Sequence, residues 1–411
     1  MQSLHGVPQL RFHAQVKPYL SKASRCASQP PWLVKAIADG VDLSLDRVLL
    51  QAGRHFRDAF DLSIISDGTK RQRAAMDLAW MVISMLRPDV QSGTLVVRPH
   101  EDSDMRRWAA EILGIGAGLE MLRVAGAIDA RTLRKNKGKS PTFDFRARTK
   151  TNLRTAQIEL KGTIDDGSRA KHQKSIREKM SKLSTSLTSP VTFHDGIGVI
   201  FFGWTPSSRR FADFQVADPE GNQESDEGET DRDLLRFYAD IYELAGLIDG
   251  ANALRDAANA VNAPSELSAE ERRAYFGSVG ATTGRFARMT QNFQLDGTTL
   301  RYGGTSFEAS KYPLDLGALT AAPDMSEFPF LFVGVHEAVI GLMRSGDFGT
   351  LRATTFPESS YRFERAVPDS TRALQGTLTP TFKGFVSLMS DGTAYLWSNF
   401  IPDDNLELSD V

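Results

Sequence analysis

In the stretch AQIELKGT (156–163), a glutamate and a lysine stand two apart inside an otherwise apolar, strand-like run. Side chains on a strand alternate between faces, so Glu159 and Lys161 share one face while Ile158 and Leu160 share the other. In TFDFRAR (142–148) the same alternation sends Phe143 and Phe145 to the core and turns Asp144 the other way. Were the two strands adjacent, Asp144, Glu159 and Lys161 would meet at one place with apolar residues behind them. Two carboxylates and a backbone carbonyl hold one or two Mg²⁺ ions through hard oxygen ligands. Such ions stabilise the charge that builds on a phosphate during phosphodiester hydrolysis. A lysine beside them can orient the attacking water and favour its hydroxide form. Metal and substrate then offset the cost of keeping these charges close together.

These residues resemble the motif of the PD-(D/E)xK nuclease superfamily, the fold of many restriction endonucleases and defence nucleases. The resemblance covers roughly residues 104–205. It rests on Pro141 with Asp144, then on Glu159-Leu160-Lys161, with the two acids 15 apart and the Pro-Asp pair interrupted as PTFD. It implies a restriction-endonuclease-like core, a mixed sheet flanked by helices. In such a core Asp144 and Glu159, with the Leu160 carbonyl, bind Mg²⁺ (Mn²⁺ can substitute), and Lys161 assists the nucleophilic water. Many members add an acid from the preceding helix. Glu111 is the candidate, with Gly114 and Gly118 at i+3 and i+7 letting the helix approach the sheet closely. Glu120, nine residues on, is expected about half a turn away and pointing elsewhere.

The elements needed to position these groups follow from pattern. DSDMRRWAAEILGIGAGLEMLRVAGAID reads as a helix capped near Asp102, Ser103 or Asp104 and stopped by Gly126, with Trp108, Ile112, Ile115, Leu119 and Leu122 as its apolar stripe. ARTLRKNKGKSP is basic and turn-rich, TFDFRAR and TAQIELKGT are strands, SRAKHQKSIREKMSKLSTSL is a basic helix, and GIGVIFFGW is a strand buried on both faces. From Arg131 to Lys182 there are 16 Lys and Arg against 5 Asp and Glu, a local balance of +11, so the remainder of the chain carries −13. That segment is a candidate polyanion surface. Lys171, His172, Gln173, Lys174 and Arg177 open the basic helix as candidate nucleic-acid contacts; a solvated amphipathic face is the equal alternative.

Around this core the fold class is α/β (α+β). Residues 1–100 are expected to form a helical N-terminal domain (PPWLVKAIADG, LDRVLLQAGRHFRDAFDL and KRQRAAMDLAWMVISML), with GTLVVRP as a short strand leading out. The nuclease-like core spans 101–215. Residues 216–233 form an acidic linker, since Asp218–Asp233 holds 8 acidic residues and one basic in 16. A C-terminal α+β domain of recognition or regulation spans 234–411. It begins with the helical LLRFYADIYELAGLIDGANALRDAANAV, continues with the helix SAEERRAYF, and ends in short strands that include TLRYGG, TLRATTF, SYRFERAV, FKGFVSLMS and TAYLWSNF.

Other chemistries find little support. The single cysteine, Cys26, excludes an internal disulfide framework and a Cys-based zinc site and suits a reducing, cytoplasmic compartment. No signal peptide is recognisable at the N-terminus, and the most apolar stretch, FPFLFVGV, is far short of the ~20 residues of a membrane span. HEAVI (336–340) lacks the second histidine of a zinc helix, GIGAG (114–118) lies within a helical pattern, and no GxxxxGK[ST] loop is present. The expectation is therefore a metal-dependent endonuclease of restriction or antiphage defence, acting on DNA or RNA. An activating partner protein and a C₂ homodimer remain open. The alternative is a catalytically silent nucleic-acid-binding or scaffold subunit of a defence complex.

Overall fold

The computed structural model describes residues 11–18, 30–44, 47–48, 51–52, 86–89, 94–97, 103–135, 143–150, 155–163, 166–185, 195–202, 213–217, 227–244, 248–260, 298–302, 305–309, 314–315, 330–366, 381–399 and 406–408. Cys26, Pro141, most of the two helices expected within 44–86 and the helix expected over 268–276 lie outside them. The chain is α+β and divides into two compact units, residues 1–64 with 74–225 and residues 65–73 with 226–411.

The first unit runs β1 (Arg11–Pro18), α1 (Pro31–Asp39), β2 (Val41–Ser44), β3 (Leu86–Asp89), β4 (Thr94–Val97), α2 (Ser103–Val124), β5 (Ile128–Lys135), β6 (Phe145–Thr149), β7 (Thr155–Thr163), α3 (Asp166–Thr185), β8 (Asp195–Phe202) and β9 (Asp213–Ala217). Seven of these strands form one mixed sheet in the order β2-β1-β9-β8-β7-β6-β5, while β3 and β4 pair as a separate hairpin. β7 is central. It pairs antiparallel with β6, Phe145 facing Ile158, and parallel with β8, Glu159 facing Gly198. The parallel β7–β8 pair needs a crossover, and α3 supplies it.

Two expectations change here. Residues 1–100 do not stand apart as a helical domain: α1 and β4 form as read, but β1 and β2 add two strands to the core sheet, β1 pairing parallel with β9 through Val16 and Phe214. β1 carries the period-two signature of a half-buried strand, with Ala14 and Val16 buried and His13, Gln15 and Lys17 exposed. The basic ARTLRK, read as turn-rich, is most of β5. Part of its charge is met locally, since Arg131 hydrogen-bonds Asp129 through Nε at 3.0 Å and Nη2 at 2.9 Å.

Helix α2 packs on β7 through glycines. A Cβ at Gly114 would collide with the Gly162 backbone, and one at Gly162 with the Ala110 carbonyl oxygen; a Cβ at Gly118 would come to 2.9 Å of the Leu160 side chain. On its opposite side Gly116 lies against the Val48 carbonyl. The helix is thus enclosed on both sides, which is why Ile112, Leu113, Leu119, Met121 and Leu122 are all buried. Gly162→Ala is expected to force α2 away from the sheet at a cost of about 3 kcal/mol, the upper end of overpacking. The readout is a melting temperature lowered by roughly 6–12 °C.

The second unit holds α4 (Glu227–Leu244), α5 (Ile248–Ala260), β10 (Thr298–Tyr302), β11 (Thr305–Ala309), β12 (Leu314–Asp315), β13 (Phe330–His336), α6 (Glu337–Ser345), α7 (Phe348–Ala353), β14 (Ser359–Ala366), β15 (Thr381–Leu388), β16 (Thr393–Ser398) and β17 (Leu406–Leu408). Its sheet has the order β14-β15-β16-β13-β11-β10-β17, with β12 also on β13. Its core is built on Trp397, Tyr238, Tyr242 and Phe237. The acidic linker is shorter than expected, because residues 227–233 open α4, where acidic side chains favour a helix N-terminus. Asp231 and Asp233 are buried, and Asp231 pairs with Arg352. Arg255 of α5 pairs with Asp240 and Glu243 of α4. TLRATTF is a helix at its start rather than a strand, because Asp347 caps α7 by accepting from the Thr350 amide at 3.0 Å.

The histidine of HEAVI is a helix cap. His336 Nδ1 accepts from the Ala338 amide at 3.0 Å, and its ring stacks on Phe356 with centroids 4.3 Å apart. Burial lowers its pKa below the ordinary 6.5, against an opposing pull from Glu337. The neutral ring is therefore the capping form. In the window below about 6.5 the unfolded chain takes up the proton more readily, so the contribution of this cap is whole above that value and is lost as the pH falls through the folded pKa. Thermal melts between pH 5 and 7.5 are expected to show a fall in stability at acid pH that is smaller in His336→Asn, whose amide caps without titrating.

Candidate active site

β6 and β7 bring Asp144, Glu159 and Lys161 together. Asp144 stands immediately before β6, held by its buried neighbours Phe143 and Phe145 as the strand phase requires. Its backbone amide donates to Glu159 Oε2 at 3.2 Å. The β6–β7 ladder ends at Phe145 and Ile158, so Glu159 and Lys161 lie just past the last paired residues on that side. Lys161 Nζ reaches Glu159 Oε1 at 2.6 Å and Asp144 Oδ2 at 3.3 Å.

A fourth member comes from α3. Lys179 Nζ lies 2.7 Å from both oxygens of Glu159 and 3.3 Å from Asp144 Oδ1. Lys179 lies beyond Arg177, the last of the candidate contacts the sequence offers on this helix. The signal was present in the helical spacing: His172, Ile176 and Lys179 fall at i, i+4 and i+7 on one face, and Ile176 is buried.

The electrostatics follow from burial. Glu159 is 0% exposed, and so enclosed a carboxyl group is costly to bury without close partners; Lys161 and Lys179 both reach it. Burial draws Lys161 toward neutrality, but the carboxylates of Glu159 and Asp144 more than offset this, and its pKa is raised above the ordinary lysine value. Lys161 is thus a fixed cation and hydrogen-bond donor, unable to serve as a base near neutral pH.

The remaining candidates divide. His172 is half-buried beside Lys161 and Gly162; burial, then the Lys161 and Lys171 charges, lower its pKa, so it sits there as a neutral imidazole. Gln173 is half-buried, while Lys171, Lys174 and Arg177 are exposed on α3. Lys174 makes a loose pair with Glu178 at 3.8 Å. Glu111 does not join the cluster. The row of α2 that meets the sheet is Ala110, Gly114 and Gly118, and Glu111 lies one residue round from it, exposed. That row packs on the face of β7 bearing Leu160 and Gly162, opposite the face bearing Glu159 and Lys161. Glu120 is fully buried and gripped by Arg123.

The chemistry of the donors fits a hard divalent cation. Asp144 and Glu159 direct oxygens to shared points, and the points are already held by cations, the two lysine ammoniums. Among the described residues no group of three or more His, Cys, Asp or Glu side chains converges. No family model, curated protein or solved structure matches the chain. Among the described residues no helix is long and apolar enough to cross a membrane.

Proposed function

We propose that the chain is a metal-dependent nuclease of the PD-(D/E)xK kind, hydrolysing phosphodiester bonds of DNA or RNA through a restriction-endonuclease-like core in its first unit. The observation that carries this reading is the convergence of Asp144, Glu159 and Lys161, residues distant by up to 17 positions, at the point where β6 and β7 part. Asp144 and Glu159, with the Leu160 carbonyl, would hold Mg²⁺ or Mn²⁺. Bound there, the ion would supply charge stabilisation at the phosphate and a more acidic water. The chain itself contributes the rest. Glu159, locked by the Asp144 amide and the lysines, keeps the two carboxylates aimed at one place. Lys161, permanently protonated, donates to the attacking water or to a phosphate oxygen and so favours the anionic form of either.

The exposed face of α3 supports a nucleic-acid surface beside this cluster. Lys171→Glu with Lys174→Glu is expected to weaken binding and to reduce the slope of log affinity against log salt by about 2 on duplex DNA. Fluorescence anisotropy across a salt series reads this directly, and an unchanged slope removes α3 from the interface.

A second reading has one observation in its favour. The two lysines already balance the two carboxylates, so the cluster is neutral as it stands and could be a structural device in a silent nucleic-acid-binding subunit. The deciding experiment incubates the purified chain with supercoiled plasmid, linear duplex, single-stranded DNA and RNA, in Mg²⁺ or EDTA. Metal-dependent cutting establishes the nuclease. An intact substrate in every lane, with and without co-purified partners, favours the silent subunit.

A further inference from the structure

Each carboxylate oxygen of Asp144 is taken by a different lysine: Oδ1 by Lys179 and Oδ2 by Lys161, both at 3.3 Å. Both ammoniums also reach Glu159 Oε1, at 2.7 and 2.6 Å. One pair of acids therefore presents two distinct cation positions. Phosphoryl-transfer sites that use two metal ions need two such positions, roughly 3.5–4 Å apart, to clamp the attacking and leaving oxygens. Here Lys179 fills one of them through three contacts, to both Glu159 oxygens and to Asp144 Oδ1, while Lys161 stands at the other through two and is the ammonium a divalent ion would displace.

We infer that Lys179 permanently takes the place of a second metal ion, so that this site admits one divalent cation and not two. The inference rests on the nuclease reading above and deepens it. Charge argues for it. The four side chains sum to zero, one divalent ion adds two positive charges, and the transition state of phosphodiester hydrolysis carries two negative ones. The loaded site is neutral with a single ion and strongly positive with two, in a place where Glu159 is fully enclosed and uncompensated charge is costly. Placement argues for it as well. Lys179 lies one helical turn beyond the buried Ile176, so its side chain is held against the sheet rather than borne on the solvent face with Lys171 and Lys174. A lysine there is a cation that neither dissociates nor depends on metal supply.

The test counts metal ions rather than turnover. Mn²⁺ is titrated into the full chain and followed by calorimetry and by the paramagnetic resonance of the free ion. The parent is expected to bind one Mn²⁺ per chain, Lys179→Met two, and Lys179→Arg, which keeps the cation, one. A melting curve accompanies each variant, and Lys161 still neutralises part of Glu159 when Lys179 is lost. Two Mn²⁺ in the parent would overturn the inference and leave the nuclease reading standing. One in the parent and one in Lys179→Met would also overturn it, since the vacated position would then have no affinity for metal. No Mn²⁺ in any of the three would overturn both readings together.

Discussion

Lys161→Met is expected to lose metal-dependent cleavage by about 10²–10³-fold, the range found when one preorganised donor to a developing negative charge is removed. Its melting temperature is expected to stay within a few degrees of the parent. The structure separates these two effects. Glu159 keeps Lys179 at 2.7 Å on both oxygens when Lys161 is gone, so no buried carboxylate is stranded, and methionine fills the volume of the lost aliphatic stem. Glu159→Gln is the contrasting variant. It leaves two ammoniums facing one carboxylate, and breaking a buried pair from one side costs about 3–5 kcal/mol. Because both lysines remain about a quarter exposed, solvent screens part of this and the lower end is expected. Cleavage on plasmid and a denaturant melt, run side by side, decide the matter: a Lys161→Met protein that melts like Glu159→Gln would make the lysine structural.

The core of this site was legible because strand phase is a strong constraint. A period of two leaves only two faces, so Glu159 and Lys161 had to lie together, and the buried Phe143 and Phe145 fixed the side on which Asp144 emerges. TAQIELKGT is β7 to the residue, since its ends are marked by a loss of apolar character. What phase cannot supply is the neighbour across the layer. Lys179 stands on the inward row of α3, but nothing in its own helix says that a glutamate lies opposite. Glu111 illustrates the reverse error: the glycines beside it mark close packing correctly, yet the row of contact runs through Ala110, and a rotation of one residue carries Glu111 out to solvent.

Long-range pairing was the other loss. β1 alternates as a strand should, but its parallel partner β9 lies nearly two hundred residues on, beyond any local pattern. Charge misled in both directions, because Arg131 and Arg134 suggested a turn where β5 runs, and Asp231 and Asp233 suggested solvent where α4 is buried. Arg131 is paired with Asp129 and Asp231 with Arg352, and such partners are visible only in three dimensions.

Glu120 shows how much one such hidden partner is worth. It lies in the last turns of α2, where an acid is disfavoured by the helix dipole, and it is entirely enclosed. Two hydrogen bonds from Arg123, Nε to Oε2 and Nη2 to Oε1, each 2.7 Å, form a bidentate grip that makes its burial tolerable. Glu120→Ala is expected to cost about 3–5 kcal/mol, because it removes the bidentate carboxylate from a guanidinium that is almost fully buried. The pair Glu120→Leu with Arg123→Met is expected to recover most of that loss, since an apolar pair of similar volume carries no desolvation penalty. Denaturant midpoints for Glu120→Leu, Arg123→Met and the double variant test this as a cycle. Additive losses in the double variant would mean that each side chain is held by the core independently of the other. Recovery would locate the cost in the broken pair, and would mean that α2 keeps its place under β7 through glycine contacts and apolar packing rather than through this charge.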